Sequence, residues 1–236
     1  MKILYAGDSP VGGAANYLLA VLRFLKADVM HLAPSQMLHP RFLRKRFSVI
    51  ILSDFSKKRV PTASQKLIEE SVEKGAGLLM IGGWASFSGP YGKWRGSMVE
   101  KLLPVACLNH DDRLNLPGGA LIHARKTHPM FRSFSFKNPP VICGLNQVRA
   151  KKKSQLVLEA QRIWDGRKFP LLVIGSHPKG RTAAFTTDLA PHWCGGLVDW
   201  GSRRMRLRVK GKISVEVGDQ YVRFVASLLK WLAGKN

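Results

Sequence analysis

The stretch Leu78-Leu79-Met80-Ile81-Gly82-Gly83-Trp84-Ala85-Ser86-Phe87-Ser88-Gly89 constrains the fold more than any other. Its apolar run is too short for a helix and breaks into two glycines, then into an aromatic, hydroxyl-bearing loop. That is the pattern of a buried strand ending where the backbone bends sharply, with glycine supplying positive φ or close approach. In an open α/β sheet, ligands sit outside the carboxyl ends of the strands, and this stretch predicts one such end.

The residues before it repeat the theme. Lys2–Ala6, Asp28–Ala33 and Ser48–Leu52 read as strands, and Ala14–Leu25 as a helix with Leu18, Leu19, Val21, Leu22 and Leu25 on its apolar face. Residues 39–48 are basic and mixed, an irregular helix or loop. Thr62-Ala63-Ser64-Gln65 after Pro61 predicts a capping box opening a helix to Lys74, with Gly75 as its stop. The order β-α-β-(α)-β-α-β calls for a parallel, doubly wound sheet with helices on both faces. The loop Gly7–Gly13 has neither GxGxxG nor GK[ST], so it matches a phosphate-binding turn only loosely.

A short helix is expected near Ser97–Leu103, closed by Pro104. Residues 105–140 yield only a strand at Leu121–Ala124 and turns at His128-Pro129 and Pro139-Pro140. From Val141 the texture changes to closely spaced strands at Val141–Val148, Gln155–Gln161, Leu171–Gly175 and Thr182–Thr187. Turn signals such as Asp165-Gly166 separate them, so β-hairpins extend the parallel sheet in the C-terminal half. Arg206, Arg208, Lys210 and Lys212 alternate with Leu207, Val209, Gly211 and Ile213, which on a strand puts the cations on one solvated face. Gln220–Leu232 closes the chain as an amphipathic helix with Tyr221, Phe224, Val225, Leu228, Leu229 and Leu232 inward.

At 236 residues and 45% hydrophobic, the chain suits a single domain over residues 1–236 with a full core, and disorder is excluded. Its apolar runs fall far short of the about 20 residues a membrane helix needs, so no membrane partner is expected. The amino terminus enters a strand pattern directly, unlike a signal peptide. Three cysteines, Cys107, Cys143 and Cys194, show no CxxC spacing and suggest reduced thiols in a cytoplasm. The 38 Lys and Arg against 15 Asp and Glu give a formal charge of +23, which would attract nucleic acid or another acidic partner.

A second informative stretch runs from Ala184 through Asp188, His192, Trp193 and Cys194 to Trp200. A strand delivers Asp188 to its carboxyl end and His192 follows, with tryptophans and Gly195-Gly196 around them. Acid, imidazole and aromatic walls in one loop make a pocket. The other reading is that Asp188 caps the next turn, His192 bonds to backbone and the tryptophans cover the sheet end.

Gly77–Gly89 paired with Phe185–Trp193 resembles the class I glutamine amidotransferase-like proteins, relatives of the ThuA-like branch of that superfamily. Leu103-Pro104-Val105, Gly144-Leu145-Asn146, Gly175-Ser176-His177, the Lys179-Gly180-Arg181 turn, Val217-Gly218-Asp219 and Lys230–Gly234 carry the resemblance over nearly the whole chain. It implies a flavodoxin-like α/β sandwich. A working amidotransferase needs a cysteine on a strand-to-helix elbow, a His and carboxylate to activate it, and backbone N–H groups for the oxyanion. Cys143 has the nearest frame, but Val148–Lys153 after it reads as a continuing strand. Cys107 has no glycine frame, and Cys194 follows a loop. Ser86 and Ser88 lack the G-x-S-x-G frame of a serine nucleophile.

The expectation is therefore an amidotransferase-like domain without the thiol reaction, holding a small polar metabolite, sugar-like among the options. Asp8, Gly82, Gly83, Trp84, Ser86 and Trp193 would line the pocket. Gly82 and Gly83 would offer N–H groups, and Asp188 would orient or charge His192 as the catalytic pair. No cofactor and no metal are expected, although Asp8, Asp188, His192 and Asp199 have the chemistry to ligate a divalent ion. The alternatives are a basic protein that binds nucleic acid or another acidic partner, and a non-catalytic scaffold or homo-oligomer subunit.

Overall fold

A computed structural model describes residues 1–9, 13–125, 128–131 and 135–235. Residues 10–12 of the Gly7–Gly13 loop, and 126–127 and 132–134 of the stretch 105–140, lie outside the described residues. The N-terminal half alternates as read: β1 (Lys2–Gly7), α1 (Ala14–Phe24), β2 (Asp28–Leu32), α2 (Pro40–Leu43), β3 (Val49–Ser53), α3 (Thr62–Glu73), β4 (Gly77–Ile81) and α4 (Met98–Leu102). Then come β5 (Val105–Cys107), β6 (Arg113–Ala124), β7 (Val141–Asn146), β8 (Val148–Ala150), β9 (Gln155–Arg162), β10 (Lys168–Ser176) and β11 (Arg181–Phe185). The chain closes with α5 (Pro191–Val198), the hairpin β12 (Arg204–Lys210) and β13 (Ile213–Gly218), and α6 (Asp219–Leu232).

Nine strands form one sheet in the order β2-β1-β3-β4-β11-β10-β9-β6-β7. The first five are mutually parallel, in the 2-1-3-4-5 order of a flavodoxin-like sheet with β11 in the fifth place. The remaining four add on antiparallel.

Alternation along each parallel strand divides the core. Ile3, Tyr5, Val49, Ile51, Leu79 and Ile81 pack with α1 and α6 on one face, and Leu4, Ala6, Ile50, Leu52, Leu78 and Met80 with α3 and α4 on the other. Tyr221, Phe224, Val225, Leu228, Leu229 and Leu232 all point inward from α6. On β12 Arg204, Arg206, Arg208 and Lys210 are exposed while Leu207 is buried. Among the described residues no helix is long and apolar enough to cross a membrane.

Two local readings are corrected. The predicted box at Thr62–Gln65 does not form, because the helix starts one residue early. The Pro61 carbonyl already accepts the Gln65 N–H at 3.0 Å, so Thr62 is helical. Ser64 and Gln65 instead tie α3 to its surroundings, donating to the carbonyls of Leu38 and Val60. The capping hydroxyl sits one helix later, where Ser97 accepts the Glu100 N–H at 3.1 Å and Glu100 reaches back to Gly96. The strand read as Val141–Val148 is two: β7 stays in the large sheet, and β8 pairs with β5.

Candidate functional site

Parallel register brings the ends of three strands level. Gly7 pairs with Ser53 and Ser53 with Ile81, so the next residues, Asp8, Asp54 and Gly82, emerge side by side. Phe185 pairs with Ile81, which brings the segment through Asp188 to the same edge. Asp8, Asp54 and Asp188 thus form a carboxylate group at the sheet's carboxyl edge. Burial raises the proton affinity of all three, and their mutual repulsion adds to it at Asp8 and Asp188. Asp8 is pushed up to about 6, although the Tyr5 hydroxyl donates to its Oδ2 at 2.8 Å and Ser53 also donates.

The backbone here is held in unusual shapes. Among the described residues five non-glycine residues have positive φ, and four of them, Asp8, Asp54, Phe87 and Lys93, belong to these strand ends or to the loop after β4. Such conformations persist only where surrounding structure enforces them, and they concentrate at functional sites. Gly83, at φ 151°, shows the reason for its identity: a Cβ there would lie 2.7 Å from Asp54 Oδ1. A Cβ on Gly82 would lie 2.1 Å from the Thr186 carbonyl oxygen.

The glycine N–H groups expected to face a ligand are engaged within the fold. Gly82 donates to the carbonyls of Phe185 and Thr187, at 2.8 and 3.0 Å. Gly83 donates to Asn146 Oδ1 at 2.8 Å, and Asn146 Nδ2 returns a bond to the Gly83 carbonyl and another, of 2.7 Å, to Asp112. Asp112 has no exposed surface and also accepts the Ser88 N–H; burial pushes it up to about 6. Ser86 is a fastener too: its hydroxyl donates to the Ile81 carbonyl and accepts the Asp54 N–H at 3.1 Å.

No hydrogen bond or ion pair joins Asp188 to His192 among the described residues. Asp188 Oδ1 accepts the N–H groups of Leu189 and Ala190, at 2.6 and 3.0 Å, organising the turn into α5. His192 is exposed beside this edge, and its charge acts on Asp54. Trp193 is buried, its indole N–H bonded to Asn115 at 3.2 Å, and Gly144 makes room for it. Trp200 is likewise buried, donating to the Asn138 carbonyl. Trp84 stands out, 45% exposed with the Arg113 guanidinium 4.2 Å from its ring centroid.

None of the three thiols is in a disulfide. Cys194 is fully buried, points its S–H at the Ala190 carbonyl, and has its proton affinity raised by burial and by Asp188. Burial and Glu100 do the same to Cys107 on β5. Cys143 is exposed on the edge strand β7, and β8 rather than a helix follows it. Asp199 pairs with Arg204, and among the described residues no three His, Cys, Asp or Glu side chains are grouped to hold a metal.

Sequence reasoning missed Asp54, Asn146 and Asp112. Asp54 carried a usable signal, since it follows β3 as Asp8 follows β1. Asn146 lay inside a recognised motif without a role, and Asp112 fell in the stretch that gave little.

The profile of the family described as Putative glutamine amidotransferase (GATase1_like) matches residues 15–211. A comparison with curated proteins gives no match. Among solved structures, the cytoplasmic protein STM3548 of Salmonella typhimurium is 25% identical, with TM-score 0.78 over 98% of this chain and 99% of that one. The cytoplasmic protein STM1381 of Salmonella typhimurium LT2 is 27% identical, with TM-score 0.77 over the same shares. A ThuA-like protein of Bacteroides uniformis shares the fold at 12% identity, with TM-score 0.58 over 98% of this chain and 90% of that one.

Proposed function

The chain belongs to the Putative glutamine amidotransferase family, and from that premise we propose that it binds a small polar metabolite at the carboxyl ends of β1, β3, β4 and β11 without the thiol chemistry of a glutaminase. One observation carries this reading: the turn after β4 is Gly82-Gly83-Trp84, with no thiol, and both glycine N–H groups are spent on the fold. A nucleophilic cysteine needs a thiolate near neutral pH, stabilised by a cation, a helix N-terminus or a paired imidazole. Cys107 and Cys194 are driven the opposite way, and Cys143 has no following helix.

What the edge retains is suited to polar recognition. Burial raises the proton affinity of Asp8, Asp54 and Asp188, that of Asp8 to about 6, and their carboxyl oxygens are acceptors for a hydroxylated ligand. Asp188 acts as a positioning residue for the loop that presents His192, and His192 is the exposed polar group on that side. Trp84 supplies an apolar wall. Ammonia release from glutamine tests the reading: the purified chain should show none above background. Turnover that disappears in Cys143→Ala or Cys194→Ala would overturn it.

A further inference from the structure

Beside the carboxylate edge lies a cavity of about 520 Å³ whose wall includes Asp54, Lys58, Arg59, Trp84, Tyr91 and Lys93. We propose that this cavity takes a phosphate monoester carried on a small hydroxylated ring, which names the ligand class for the site above and rests on that reading. The volume is that of a small-molecule site. With 38 cations to 15 acids, most basic side chains in this chain have no acid to meet, so isolation alone would mean little. What distinguishes Lys58, Arg59 and Lys93 is their company: they line one concavity together with the exposed rings of Trp84 and Tyr91, and among the described residues none of the three is in an ion pair. Asp111, an acid outside the cavity on which the charge of Lys93 acts, is held by Arg113 through two guanidinium nitrogens.

The rest of the wall limits what anion fits. Trp84 and Tyr91 are 45% and 62% exposed, so two flat apolar faces meet solvent where a ring could stack. Arg113 over the indole fixes the orientation of Trp84. Asp54 is the single carboxylate of the wall, and its oxygens are acceptors for ligand hydroxyls. A phosphate monoester, near −2 at neutral pH, matches a cluster of two ammonium groups and one guanidinium fork better than a monoanion does.

The wall is also set in advance. It comes from two segments, the turn after Asp54 and the loop after Gly83, and they are stitched together. The Lys57 N–H donates to the Gly92 carbonyl at 3.0 Å, and the Trp94 indole N–H to the Phe55 carbonyl at 3.0 Å. The Trp94 N–H closes the loop on the Phe87 carbonyl at 2.9 Å. Three left-handed residues, Asp54, Phe87 and Lys93, bend the backbone that forms the wall or lies beneath it. Sites held this way lose little ordering entropy on binding.

Isothermal titration with four probes tests the proposal: glucose 6-phosphate, adenosine monophosphate, glucose and inorganic phosphate. At least one ester should bind with Kd below about 1 mM and at least about tenfold more tightly than glucose or phosphate alone. Which ester wins separates a sugar phosphate from a nucleotide. The double variant Lys58→Ala/Lys93→Ala, at exposed positions, should weaken that ester about tenfold or more, with an unchanged melting temperature. Lys45→Ala/Arg46→Ala, in the segment before β3 at the opposite end of the sheet, should leave it unaltered. The proposal falls if neither ester binds, or if the distant double variant weakens binding as much, since the charge of +23 then explains the attraction. It also falls if glucose binds as well as its ester and only Trp84→Ala removes the binding; that result would leave the broader metabolite reading standing.

Discussion

Asp8 combines a left-handed backbone, a bond from Tyr5 and two neighbouring carboxylates. Its folded-state pKa of about 6 exceeds the ordinary carboxylate value of 3.8, so between those limits the native state binds more protons than the unfolded chain. The stability this contributes is full below the lower value and is lost as pH rises through about 6. Asn keeps an acceptor for Tyr5 and tolerates the backbone conformation. The advantage of Asp8→Asn over wild type in urea unfolding should therefore be small at pH 4 and grow to about 2–3 kcal/mol by pH 7. A constant difference across that range would show that the Asp8 carboxyl is not raised by its burial and its neighbours. Asn146 works in the opposite sense. Asn146→Ala would strand the Gly83 N–H and leave the buried Asp112 short of a donor, at a cost of about 2–4 kcal/mol measured the same way.

Among elements, the loop between β4 and α4 shows what a single anchor does. Trp94 has no exposed surface, and its indole N–H is bonded to the Phe55 carbonyl. Trp94→Phe retains an aromatic ring but leaves that buried carbonyl unpaired. It should cost about 1–3 kcal/mol and weaken ester binding in the titration above, since Tyr91 and Lys93 sit in the same loop. A variant of unchanged stability and affinity would show that the packing alone holds the wall. This loop also marks how far the sequence could be read. Leu78–Ile81 ending in Gly82-Gly83 identified a strand end because burial and backbone freedom are local properties. The direction in which those N–H groups point was not legible, because their acceptors are Phe185, Thr187 and Asn146, far along the chain. The role of Asp188 in its own turn was hidden for a related reason: its spacing drew attention to His192, whereas its Oδ1 accepts the N–H groups of Leu189 and Ala190.

For the molecule as a whole, the parallel half was legible through its strict strand and helix alternation, and the antiparallel half only in part. The strand read at Leu121–Ala124 is the last third of β6, whose register shifts between Asn115 and Ala120 at a Pro117-Gly118-Gly119 interruption. Proline and glycines inside a strand read as a break, and only pairing with β7 and β9 on either side carries the strand through. That irregular ribbon is what brings Asp112 and Asn146 onto the carboxyl edge. Asn146 is the last residue of β7, and it grips Gly83, just past β4, through two hydrogen bonds. The two halves of the sheet are therefore latched at one residue, through the peptide groups on either side of it, and the Gly83 amide proton becomes a gauge of their union. In deuterated water it can exchange only when the β6–β7 ribbon lifts away from β4. Gly83 should be among the slowest amides of its loop. In Asn146→Ala its exchange should accelerate by at least about a hundredfold while the core amides of β1 and β3 change only with global stability.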